Sequence, residues 1–201
     1  MAKISFKPGN MLYPLPAVLV SVADRAGYTN IITVAWTGTI CTNPPMLSIS
    51  VRPNRFSHHM IEETGEFVVN LTTKELAYAT DYCGVKSGRD VDKWKEMMLT
   101  PIASDVVKAP CIKESPVNIE CRVTEVRRLG SHDLFLAEVA AVHVDEAYMD
   151  ESGAFHLSHA NPIVYCHGEY FDLGEKLGKF GYSVKKRLDG VEKNHYSKNR
   201  K

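Results

Sequence analysis

The sequence predicts a mostly β protein, an antiparallel barrel, closed or split and Greek-key-like, carrying a few short helices. Three observations lead there. About seven runs have the length and β-branched content of strands, and most are joined by connections of hairpin length. Helical signals are short and cluster in the first half, with none of the strand–helix–strand alternation that a doubly wound parallel sheet needs.

The first element is Ala17-Val18-Leu19-Val20-Ser21-Val22-Ala23, followed by the turn formers Asp24-Arg25-Ala26-Gly27. Ile31-Ile32-Thr33-Val34-Ala35-Trp36 pairs with it as a hairpin. Thr37-Gly38-Thr39 and Asn43-Pro44-Pro45 then break the pattern, and Met46 to Val51 is a third strand ended by Pro53. A helix is expected from Asn54 or Ser57 to Thr64, with either residue as N-cap and Gly65 as the left-handed stop. Glu66 to Leu71 is the next strand. Thr72-x-x-Glu75 reads as a capping box opening a second helix through Tyr82, stopped by Gly84. The polar stretch Lys86 to Asp90 leads to a short helical piece around Trp94. Val117, Ile119, Cys121 and Val123 alternate with polar residues, the period of a half-buried strand. Leu129 to Asp133 is a turn. Leu134 to Val144 is apolar on both faces, which places it centrally or at an interface. Ile163 to Tyr165 is a last strand.

The chain has 201 residues, enough for one domain over 1–201 with a basic tail from about residue 183. Lys plus Arg equals Asp plus Glu, 24 against 24, so no overall field points to nucleic acid or membrane. No apolar run approaches the ~20 residues of a membrane span, and the first fifteen residues lack a signal-peptide core. Five cysteines, odd in number and without Cys-x-x-Cys, fit reduced thiols and a cytoplasmic location.

Three segments could carry chemistry. Ser50-Val51-Arg52-Pro53-Asn54-Arg55-Phe56-Ser57 sets two guanidinium groups and a hydroxyl between a strand end and a helix start, a place suited to a phosphate. A solvated corner reads the same way. Thr33 to Thr42 passes into small and hydroxylated residues (Thr37, Gly38, Thr39, Thr42) against which a planar ligand could lie. An ordinary threonine-rich strand end is the alternative. Asp81-Tyr82-Cys83-Gly84 with Ser87-Gly88 is a helix end able to approach a ring system, with Cys83 more naturally a buried thiol than a nucleophile. His156-x-x-His159 lacks a third ligand, so no metal is expected there. His58 and His59 face different ways on a helix. No hydrolase elbow, P-loop or dinucleotide glycine fingerprint is present, and no catalytic residue is assigned.

Taken in order, Thr29-Asn30-Ile31-Ile32-Thr33-Val34-Ala35-Trp36, Asn43-Pro44-Pro45-Met46-Leu47-Ser48-Ile49, Arg55-Phe56-Ser57 and Glu66-Phe67-Val68-Val69-Asn70 resemble the flavin reductase-like FMN-binding split-barrel family, including flavoredoxin-like proteins. The likeness runs from about Leu12 to Tyr182. It implies a homodimer that holds FMN non-covalently near the subunit interface. Thr29, Asn30 and the stretch Ala35, Trp36, Thr37, Gly38 and Thr39 would surround the ring and ribityl chain. Ser50 and Val51 lead into Arg52, Arg55 and Ser57, which would hold the phosphate, and Cys83, Gly84, Ser87 and Gly88 would border the flavin. The implied activity is hydride transfer from NAD(P)H to FMN, serving an oxygenase or another electron acceptor. The alternatives are a flavoredoxin-like carrier fed by a protein partner, or a non-catalytic flavin- or haem-binding barrel.

Overall fold

The computed structural model describes residues 2–184, and the basic tail lies outside them but for its first two residues. Its strands are β1 (Leu15–Pro16), β2 (Val18–Ala23), β3 (Thr29–Val34), β4 (Thr37–Cys41), β5 (Met46–Val51), β6 (Glu66–Leu71), β7 (Pro101–Ile102), β8 (Cys111–Ile112), β9 (Val117–Arg128), β10 (Asp133–Val144), β11 (Ile163–Cys166) and β12 (Glu169–Asp172). The α-helices are α1 (Phe56–Thr64), α2 (Ala77–Val85) and α3 (Lys93–Glu96).

Seven strands form one antiparallel sheet in the order β3-β2-β6-β9-β10-β5-β4. The sheet curls without closing: β3 and β4, at its two ends, do not pair. A separate ribbon, β1-β11-β12, lies beside it. Pleating explains why β2 is buried along its whole length. Val18, Val20 and Val22 point into the curled sheet with Ile49, Phe67 and Phe135. Leu19 points the other way, into a second core with Ile31, Leu76, Ala79, Cys83 and Trp94, where α2 and α3 cover the outer face. Asn70, fully buried in β6, ties the layers. Its amide donates to the Leu19 carbonyl at 3.0 Å, and its oxygen accepts from the Ile112 N–H at 3.0 Å and from Asn118 at 2.8 Å.

The antiparallel barrel-like fold and the β2–β3 hairpin are as expected, with Val18 opposite Val34. Four details differ. Thr37 to Thr39 is no break; it begins β4, which pairs with β5 as an edge strand. The N-cap of α1 is Arg55, with no side-chain cap from Asn54 or Ser57. Gly65 does stop that helix, at φ 68° with its N–H on the Ile61 carbonyl. Thr72 is no capping residue, because its hydroxyl donates to the Ala17 carbonyl; α2 starts later, at Ala77, and runs through Gly84 to Val85.

Candidate functional site

The end of β3, the β5–α1 corner and the C-terminal half of α2 meet at one side of the open sheet, and a cleft runs between them. Its middle chamber, of about 370 Å³, lies against Ile32 to Trp36, Ser50 to Arg52, and Asp81 and Gly84 of α2. Ile32, Arg52 and Arg55 form a wall shared with a deeper end of about 190 Å³. Trp36 and Ser50 are shared with a third, wider chamber of about 690 Å³ under the N-terminal segment from Gly9 to Leu15.

The deep end is built for an anion. Arg52, Arg55, Lys86, Arg89 and Lys93 line it, and no carboxylate does among the described residues. The first turn of α1 opens there, where backbone N–H groups have no acceptor within the helix and the dipole is positive. Two loops are clipped together around it: Arg89 donates to the Asn54 carbonyl at 3.3 Å and lies 5.4 Å over the Phe56 ring. The Tyr28 hydroxyl donates to the Gly88 carbonyl at 3.2 Å. Asn30 donates to Ser57 Oγ at 2.8 Å. Gly88 presses on that amide so closely that a Cβ would fall 2.3 Å from Asn30 Oδ1, so only glycine fits without disturbing the bond.

The middle chamber is flatter and more apolar. Gly84 lets α2 approach β3, since a Cβ there would lie 3.3 Å from that of Thr33, and the Thr33 hydroxyl donates to the Thr80 carbonyl across the same contact. Trp36 packs on His132, with ring centroids 4.3 Å apart. Burial, with the Arg52 charge adding to it, lowers the pKa of His132 and favours the neutral ring. Tyr170 stands in the same chamber. Burial and the Asp81 carboxylate it hydrogen-bonds push its phenol up to about 12, so it remains a donor. Burial likewise pushes Cys83 up to about 11, leaving an unreactive thiol.

Most of the residues singled out in the sequence converge. Asn30, Arg55, Ser57, Cys83, Ser87 and Gly88 line the deep end, while Ala35, Trp36, Ser50, Val51, Arg52 and Gly84 line the middle chamber. Thr37 and Gly38 line only the wide chamber. Thr29 and Thr39 line none of the three; they pair with Ala23 and Leu47 within the sheet. Asp81, in the candidate helix end, also lines the middle chamber. Lys86, Arg89, Lys93, His132 and Tyr170 were not singled out. The first two sit in a stretch legible only as a polar connector, and the others come from segments with no spacing to mark them. His156 and His159 stack on each other, with His156 held 2.6 Å from Asp150, apart from the cleft.

The open antiparallel sheet, with a slot that ends in a cationic pocket, has the architecture of a split barrel. Residues 11–174 match the flavin reductase like domain, and the chain belongs to that family. An uncharacterised protein of Archaeoglobus fulgidus is 34% identical over 69% of this chain and 77% of its own. Two solved structures are similar throughout. Flavoredoxin of Desulfovibrio vulgaris (Miyazaki F) has a TM-score of 0.85 at 30% identity, covering 92% of this chain and 100% of that one. Flavoredoxin from Methanosarcina acetivorans has a TM-score of 0.84 at 28% identity, covering 92% and 98%.

Proposed function

We propose that this protein binds FMN in the cleft and acts as a flavin reductase-type oxidoreductase, taking hydride from NAD(P)H and delivering electrons to an acceptor such as an oxygenase. The observation that carries the reading is the pairing of a flat, partly apolar slot with a carboxylate-free cationic pocket at one end. An aromatic ring system joined to a phosphate has that same division. Arg52, Arg55 and Ser57 would hold the phosphate, with Lys86 and Arg89 nearby. Bound there, FMN would supply two-electron exchange with a nicotinamide, chemistry that belongs to the cofactor.

The residues of the chain have the remaining tasks. Ile32, Val34 and Ala35 exclude water from one face of the slot. Trp36 and His132 form an aromatic wall. The Tyr170 hydroxyl and the neutral His132 are polar groups that can orient a ring edge without adding fixed charge. The free thiols of the described residues agree with a reducing, cytoplasmic setting.

We also propose a homodimer. The outer face of β10 supports it: Val142 is 55% exposed and Val144 42%. A second reading, an electron carrier reduced by another protein, is favoured by the likeness to the two flavoredoxins. Steady-state NADH and NADPH oxidation with added FMN separates the two. Turnover supports the reductase. A yellow protein that neither nucleotide reduces, but a low-potential protein donor does, supports the carrier.

A further inference from the structure

Away from the cleft, three strands bring metal-ligating side chains to one point. Cys111 of β8, Glu120 of β9 and His143 of β10 place a thiol, a carboxylate oxygen and an imidazole nitrogen within 4.8 Å of one another. None of the three lines a chamber of the cleft. Glu120 is fully buried, and its orientation is fixed by the connection between β7 and β8. Its Oε1 accepts from the Asp105 N–H at 2.8 Å, and its Oε2 from the N–H groups of Val106 at 2.7 Å and Val107 at 3.0 Å. A carboxylate has about four lone-pair sites, so one remains, and His143 Nε2 occupies it at 2.6 Å. That imidazole, a cation only when protonated, is the one ion-pair partner of Glu120 among the described residues. A buried carboxylate without a fixed counter-charge is costly, and buried charges are characteristically paired or bound to metals. The Cys111 thiol is 2% exposed and touches Ser104 Oγ at 3.3 Å, while Val68, Val107 and Ala109 pack around it. The exposed Asp105 carboxylate stands 4.0 Å from the same His143 nitrogen.

We propose that Cys111, Glu120 and His143 bind a zinc ion, with Asp105 or a water in the fourth place, and that the ion fastens the β7–β8 connection to the sheet. The inference does not depend on the FMN reading above. One sulfur, one nitrogen and one or two oxygens suit zinc, which takes four such ligands as a tetrahedron, whereas calcium and magnesium are held by oxygen. Donor atoms around tetrahedral zinc stand about 3.3–3.8 Å apart. The 2.6 Å pair opens as the ion enters between Glu120 Oε1 and His143 Nε2, and the thiol closes in by roughly 1 Å at most. The Cys111 sulfur forms its zinc bond as a thiolate, and its proton passes to the solvent. The backbone N–H groups that already hold Glu120 are the outer support by which a metal-ligating carboxylate is oriented. Packing of Val107 and Ala109 over Cys111 keeps water from the sulfur side.

The test is titration of the full-length, tag-free, reduced protein, first stripped with a chelator, with cobalt(II) and then with zinc. Cobalt should give the near-ultraviolet charge-transfer band of a thiolate ligand and the intense visible bands of a tetrahedral ion, saturating at a single ion per chain, and zinc should bleach both. Cys111→Ser should abolish the thiolate band. His143→Ala should weaken cobalt binding by at least about tenfold. The double variant His156→Ala, His159→Ala should keep the band and the affinity. A wild type that gives no thiolate band overturns the proposal. So does a band that survives Cys111→Ser or is lost with His156 and His159, and so does wild-type affinity in His143→Ala. Should the variants fail to fold, X-ray absorption by the zinc-loaded wild type decides. A shell with one sulfur at about 2.3 Å beside nitrogen and oxygen at about 2.0–2.2 Å supports the site, and a shell with no sulfur, or with several, overturns it.

Discussion

Arg55 shows how much one residue can be asked to do. Its backbone is extended, at φ −74° and ψ 138°, and its carbonyl accepts from the His58 N–H at 3.0 Å, which opens α1. Its side chain borders two chambers of the cleft. Arg55→Ala should leave the helix in place, because the cap there uses no side chain, and remove a charged phosphate contact. FMN affinity should drop by about 1.5–3 kcal/mol, some ten- to a hundredfold, with riboflavin affinity little changed. Equal losses for both flavins would show that the substitution disturbs the slot and that the phosphate contact lies elsewhere. At this scale the sequence was legible where ligands are neighbours in the chain. Arg52, Arg55 and Ser57 announce themselves by standing between a strand end and a helix start. Lys93 and Tyr170 do not, because only the folded sheet brings them to the same hole.

Among the elements, strands with a strong apolar period, such as β5 and β6, could be read to the residue, since burial sets their register. Edge strand β4 could not. It is half exposed, holds a glycine and two threonines, and gains its pairing from β5 rather than from any pattern of its own. The short strands β1, β7, β8 and β12 escaped for the same reason. Helix α1 depends on one tertiary link that no local signal reveals. Asp133, at the start of β10, is 2% exposed; it meets His58 Nε2 at 2.8 Å and Arg128 at 2.7 Å, and Arg128 also reaches Glu62 at 2.7 Å. Asp133→Ala should cost about 1–3 kcal/mol of unfolding free energy, because it strips a buried hydrogen-bond partner from His58. Arg128→Ala should cost less than about 1 kcal/mol, since that side chain is 68% exposed. Urea midpoints at constant slope measure both. A nearly neutral Asp133→Ala would mean that α1 is held by its apolar face alone.

At the scale of the molecule, the barrel interior and the layer under α2 and α3 take up most of the apolar residues of β2 and β3, whereas the distal end of β10 keeps Val142 and Val144 exposed. Both faces of that strand read as apolar in the sequence, and the monomer accounts for one. Sedimentation near micromolar concentration should find a dimer, and FMN should raise the melting temperature by mass action. A 22.5 kDa monomer that still retains FMN would contradict the dimer while leaving the cleft intact. The likeness in sequence covered nearly the whole chain because the split barrel is specified by the order of its strand ends, not by any single motif. What the likeness leaves open is the electron donor. The most direct test of the central claim is anaerobic mixing of the FMN-loaded protein with NADH and, separately, with NADPH, following the flavin absorption band. One of the two should bleach the band stoichiometrically, and air should restore it. A protein that takes up FMN but keeps its band unbleached by either nucleotide would contradict the reductase, and one that takes up no FMN would contradict the site.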